Sequence, residues 1–293
     1  MSLLDQHFIT QFGTEVRNEY QHKGKLDMSM FNIQMGKAER FRFQKHGTAD
    51  SFEHNPGSEL PNKMIDRTNV DLVIKWYNAT DILDVTQEQM INYNAKAKLI
   101  ENIKFAMARR QDYVAFDALK SATYLPANII PKNISGTDAP LSLKAVQQAA
   151  KLLDSNFVPY DNRYMIVHPD QLHYFMSQLQ VSSFDYNTNK VLVNGTMDTF
   201  YGFKFITLPQ FSVDKNSGLY SGIREETVNE YITYFFHGGR EGALALAVNN
   251  VDGTTRIDYE SNKAGYRGLA QIGLASGILD NLSVGKIIGA KAG

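Results

Sequence analysis

Between Glu39 and Gly47 the chain reads ERFRFQKHG, with Phe41 and Phe43 at one parity and Arg40 and Arg42 at the other. That period of two marks a strand with one covered face. A second alternating run, NVDLVIKWYN, puts Val70, Leu72, Ile74 and Trp76 on one side and Asp71, Val73, Lys75 and Tyr77 on the other. The polar stretch between the runs holds Pro56, Gly57 and Pro61. Together they predict an extended hairpin within residues 36–80. Two strands so near in sequence enclose no core of their own, and an isolated two-stranded ribbon is marginal in water. The apolar side of this one therefore requires a cover from elsewhere.

Elsewhere the period is helical. Phe8, Phe12, Val16 and Tyr20 recur at the spacing of a short amphipathic helix inside an otherwise irregular arm, residues 1–35. Thr86 and Gln89 match a capping box, and from Gln87 to Leu119 there is neither Gly nor Pro. A helix over about 87–119 would be ~50 Å long, and it predicts something equally long to lie along. Its apolar positions, among them Ile91, Leu99, Ile103, Phe105, Met107, Val114 and Phe116, spread over a broad face. The breaker-rich YLPANIIPKNISGTDAP then marks a boundary near residue 138.

Beyond the boundary, Ser142 is placed to cap LKAVQQAAKLLDS, whose Leu143, Val146, Ala150 and Leu153 form a stripe. Tyr164–Val167 reads as a buried strand. Pro169 suits the first turn of a helix whose buried side is Leu172, Phe175, Met176 and Leu179. Asn194–Gly195 predicts a tight turn between short strands, and Tyr231–Phe236 predicts another strand. The final segment carries Gly265, Gly268, Gly273, Gly277, Gly285 and Gly289 among apolar residues, and predicts strands with bulges and tight bends.

Composition narrows the function. The 293 residues carry 30 Lys plus Arg against 31 Asp plus Glu, so there is no basic excess of the kind a dedicated nucleic-acid binder uses. With no cysteine, disulfides and thiolate metal sites are excluded. No stretch approaches the ~20 apolar residues of a membrane span, and the N-terminus lacks the basic and apolar regions of a signal peptide. Catalytic patterns are weak. His168 and His173 are spaced wrongly for one helical face, so they make no zinc pair, and His168 fits a strand-to-helix junction. GLASG has its serine one place from G-x-S-x-G, and GGREG lacks a helix pattern after it. No Walker-type lysine occurs. No catalytic, metal or cofactor site is expected. Arg109 and Arg110, on the long helix, suit pairing with a neighbour's carboxylates or polar contacts along the helix, with contact to phosphates as the other reading.

The order of elements resembles the major capsid proteins of tailed bacteriophages, the Hong Kong 97-type α+β fold. The resemblance lies in ERFRFQKHG…NVDLVIKWYN, in IENIKFAMARRQDYVAFDAL, and in AVQQAAKLLDSNFVPYDNRYMIVHPDQLHYFMSQL followed by NGTMDTFYGFKFITLP. It implies an N-terminal arm (1–35) and an extended hairpin, the E-loop (36–80). A peripheral domain with a spine helix (81–138), an axial domain (139–236) and return strands (237–293) follow. It further implies that the hairpin lies across a neighbour, with Arg40, Phe41, Arg42, Phe43, Leu72, Ile74 and Trp76 as contact residues. The implied function is an icosahedral shell around double-stranded DNA, built of pentamers and hexamers with portal, scaffolding and decoration partners, assembled in the host cytoplasm and found in the virion. Covalent Lys–Asn links occur in some such shells; Lys45, Lys63 and Lys75 lie near the hairpin here. Two other readings stay open on the sequence: an encapsulin-like nanocompartment of the same fold, and an oligomeric α/β enzyme that uses the hairpin as an assembly arm.

Overall fold

The computed structural model describes residues 27–47, 65–84, 95–178, 199–207, 230–249 and 255–290. The expected N-terminal helix, the hairpin tip, the Thr86 capping box, Leu179 and the Asn194–Gly195 turn lie outside them.

The alternating runs form an antiparallel ribbon of β2 (Arg40–His46) and β3 (Arg67–Val73), in register from Arg40↔Val73 to His46↔Arg67. It follows a short β1 (Asn32–Met35). The second run is not one strand. It breaks at Ile74, whose N–H still bonds Glu39 O at 3.0 Å, and resumes as β4 (Lys75–Asp84).

Strand β4 leaves the ribbon and joins a five-stranded sheet. The organiser of that sheet is β12 (Gly265–Ile278), one continuous strand of 14 residues. One edge of β12 pairs with β4 from Gly265↔Asp84 to Leu274↔Lys75. The other pairs first with β11 (Thr255–Glu260) and then with β10 (Leu244–Asn249), which carries β1 parallel on its far side.

The two faces of β12 have different tenants, because successive side chains point opposite ways. Its even-numbered face meets α1 (Ala95–Ser121), a 27-residue helix ~40 Å long. A Cβ on Gly268 would stand 2.1 Å from Leu99 Cδ2 and 2.6 Å from Ile103 Cδ1. Ser276 Oγ donates to Val114 O at 2.7 Å. The odd-numbered face meets the ribbon: a Cβ on Gly273 or Gly277 would stand 2.7 Å from Ile74 Cγ2 or 2.6 Å from Leu72 Cδ2. The glycines expected to mark bulges and bends instead provide clearance within an unbroken strand.

The second sheet runs β5 (Ile129–Ile130), β13 (Val284–Ala290), β9 (Glu230–His237), β6 (Arg163–Val167), β8 (Phe203–Thr207), β7 (Thr199–Phe200). Every residue of β6 is buried. Its Met165 and Val167, with Phe235 of β9, pack under α2 (Leu143–Ser155) and α3 (Pro169–Ser177) against Val146, Leu153 and Phe175. Its Tyr164 and Ile166, with Ile232, Tyr234 and Phe236, share the core that α1 and β10 supply through Val114, Leu119, Leu244 and Leu246. The helix starts follow their sequence signals. Ser142 accepts from Ala145 N–H at 3.3 Å, and His168 accepts from Asp170 N–H at 3.2 Å just ahead of Pro169.

Candidate functional site

The ribbon is the feature to explain. Its Phe41, Phe43, Leu72 and Ile74 are buried, Phe43 to 2% exposure. Their cover is the chain's own Ala245 and Ala247 of β10 and Ala275 of β12, with Gly273 and Gly277 between. Strand β10 makes this possible by dividing its residues by size: Leu244, Leu246 and Val248 face the central core, while Ala245 and Ala247 leave a shallow seat. Burying each Phe is worth about 1.5–3 kcal/mol. The apolar side expected to await a neighbour is thus covered by the subunit itself. The reason is non-local: two hundred residues on, a run of Ala and Gly lets the ribbon approach the sheet closely. The ALALAV alternation of Ala with larger residues was the available signal.

The ribbon's other face is polar and held together. Arg42 lies directly across from Asp71 and grips it with both ends, Nε to Oδ1 at 2.7 Å and Nη2 to Oδ2 at 3.0 Å. Arg40 Nη1 is 3.9 Å from the same carboxylate. The Arg42 hydrogen bond holds the Asp71 carboxyl below its usual range. At the far end of β2, Lys45 Nζ bonds Asp280 Oδ1 at 2.6 Å, in the turn between β12 and β13. Burial alone would push the Asp280 carboxyl up. Hydrogen bonds from Lys45, Leu282 N–H and Ser283 outweigh it and leave the group below the usual range.

Trp76 keeps the side of Ile74 in the alternation, but it stands past the ribbon's end opposite Gly273 and is 52% exposed. It borders the part of the sheet's outer face that the ribbon leaves bare. There Ile82 lies opposite Arg267 and Arg267 opposite Asp258, with Arg256 Nε 2.9 Å from Asp258 Oδ2. Ile82 is also exposed.

The helix arginines are occupied at home. Arg110 places its guanidinium 5.1 Å from the ring centres of both Tyr77 and Tyr113. Arg109 is half-buried, and burial lowers its pKa. His168 caps α3 and stacks on Tyr231 at 4.5 Å. Among the described residues no group of three or more His, Asp or Glu is placed to hold a metal, and no helix is long and apolar enough to cross a membrane.

A hairpin rooted on a sheet, a long helix under that sheet and a second α/β layer together constrain what the chain can be related to. Structures of similar architecture include phage heads. The capsid of the cyanophage P-SCSP1u superposes with a TM-score of 0.71 at 14% identity, covering 98% of this chain and 94% of that one. The capsid of Ralstonia phage GP4 gives 0.70 at 11%, over 100% and 98%. The head of Helicobacter pylori bacteriophage KHP40 gives 0.70 at 9%, over 95% of each. The shared architecture is the Hong Kong 97-type fold. No curated protein sequence matches the chain. A sequence model described as phage capsid protein matches residues 4–289, and on that match over nearly its whole length the chain belongs to the phage capsid protein family.

Proposed function

We propose that this chain is the major capsid protein of a tailed bacteriophage, and that many copies, as pentamers and hexamers, close into an icosahedral shell around packaged double-stranded DNA. The family match over residues 4–289 carries the reading. Residues 1–35 act as an arm whose last strand, β1, joins the five-stranded sheet, and 36–80 as the E-loop hairpin, whose end runs into β4. Residues 81–138 form the peripheral domain, 139–236 the axial domain, and 237–293 return to complete both.

The projecting ribbon suits this work because its root is fixed. Phe41, Phe43, Leu72 and Ile74 hold it to its own sheet, so the contacts left for a neighbour are Arg40, Arg42 and Trp76, beside the bare sheet face at Ile82 and Arg267. Individually such contacts are weak; a closed shell engages each subunit at several interfaces at once, and avidity supplies the stability. A net charge of −1 fits a wall that contains DNA without gripping it. A portal and a scaffold, with a decoration protein where one is used, complete the assembly, which takes place in the host cytoplasm and yields the virion.

Expression in bacteria with and without a scaffold, followed by negative-stain electron microscopy, tests the reading. Closed, nucleic-acid-competent spheres are expected. Only small oligomers across all conditions would overturn it.

A further inference from the structure

We propose that Phe157 is an assembly knob, which packs against the next copy of this chain in the hollow lined by that copy's Tyr160, Phe200, Tyr201 and Gly202. The inference rests on the capsid reading above.

Helix α2 ends in a paired closure: Phe157 N–H bonds Asp154 O at 3.0 Å, and Val158 N–H bonds Leu153 O at 3.0 Å. This puts Phe157 in the left-handed region at φ 57°. Glycine is favoured there because a Cβ is penalised, and a bulky aromatic is an outlier. The ring gains nothing inside the subunit in return, since Phe157 is 95% exposed. The position thus bears a local cost and keeps a large apolar group in water.

The loop that presents the ring is bonded at several points. Arg163, fully buried, donates from Nε to Pro159 O at 2.8 Å and also bonds Val158 O. Its Nη2 lies 2.8 Å from Asp154 Oδ1, and its guanidinium lies 4.3 Å from the Tyr160 ring centre. Tyr160 in turn donates to Asp154 Oδ2 at 3.0 Å, and Asn156 Nδ2 ties the loop to Leu282 O at 2.8 Å. With the neighbouring loop bonded in this way, the ring has chiefly its own side-chain torsions to lose on contact, which favours an interface anchor.

An open cavity of ≈ 490 Å³ has a mixed lining, in which Tyr160, Phe200 and Tyr201 stand with Asp161, Asn162 and Lys204. Tyr201 is half exposed, also has left-handed backbone at φ 51°, and is held by Gln147 Nε2 at 3.1 Å from its hydroxyl. Phe157 does not line this hollow, so the subunit does not fill it with its own ring. A second copy supplies both knob and hollow, and a head-to-tail contact using each once per subunit is the kind that closes into rings.

The test compares full-length wild type with Phe157→Gly and Phe157→Cys. Because the left-handed site favours glycine, Phe157→Gly should unfold at the same denaturant concentration as wild type or a higher one. Its yield of closed particles should nevertheless fall by on the order of tenfold. The native chain has no cysteine, so Phe157→Cys provides a unique thiol, reactive in free subunits and protected in any particles formed. Wild-type particle yield from Phe157→Gly, or equal labelling in subunits and particles, would overturn the knob. A wild-type chain that never forms particles would overturn the capsid reading itself, and the knob with it.

Discussion

Lys45 and Asp280 meet at 2.6 Å although 235 positions separate them in sequence. The pair fastens the outer end of β2 to the turn that links the two sheets. Asp280 has its pKa depressed in the fold, so its contribution is present above the ordinary carboxylate value of about 3.9 and is lost as pH falls through the lower folded value. Stability from this pair should therefore be flat between neutral pH and about pH 5, and weaken below about pH 4. Lys45→Met should raise the Asp280 pKa, as read by carboxyl NMR titration. Its effect on stability should stay below about 1 kcal/mol, because both side chains remain partly exposed.

Phe43 is nearly inaccessible in the single subunit. Phe43→Ala should cost about 3–5 kcal/mol, either as a lower denaturation midpoint or as lost hydrogen-exchange protection confined to β2 and β3. A ribbon that depended on a neighbour for its cover would show neither change in the free subunit.

Trp76 is the chain's single tryptophan, which makes it its own reporter. In free subunits its emission should be that of a solvated indole. Particle formation should shift the emission to the blue if the exposed ring is covered by a neighbour. Trp76→Ala should leave subunit stability within about 0.5 kcal/mol and reduce particle yield. An emission spectrum unchanged on assembly would remove Trp76 from the interface.

Local signals carried much of the fold. Alternation placed β2, the Ser142 cap and Pro169 placed two helix starts, and the Gly- and Pro-free run placed the long helix, which ends at Ser121, just past the expected Leu119. The destination of the ribbon's apolar side was not legible, because it depends on Ala245, Ala247 and Ala275, residues whose local pattern says only that they are small. The glycines of β12 were misread for a related reason. A missing side chain reads locally as freedom to bend, whereas here Leu72, Ile74, Leu99 and Ile103 occupy the space it leaves. Trp76 keeps its expected parity opposite Gly273 but stays exposed, because parity does not tell where the covering ribbon stops. Arg110 was read by its charge, and what decides its place is the faces of Tyr77 and Tyr113.

The passage of the chain from ribbon to β4 sets how the subunit bears load. A tug on the ribbon is passed through Ile74 to β4. The hydrogen bonds of β4 to β12 lie across the strand axis, so against a pull along that axis the ten residue pairs from Lys75↔Leu274 to Asp84↔Gly265 resist together in shear instead of peeling open one by one. A wall built of such units can be strained from within while each ribbon stays anchored.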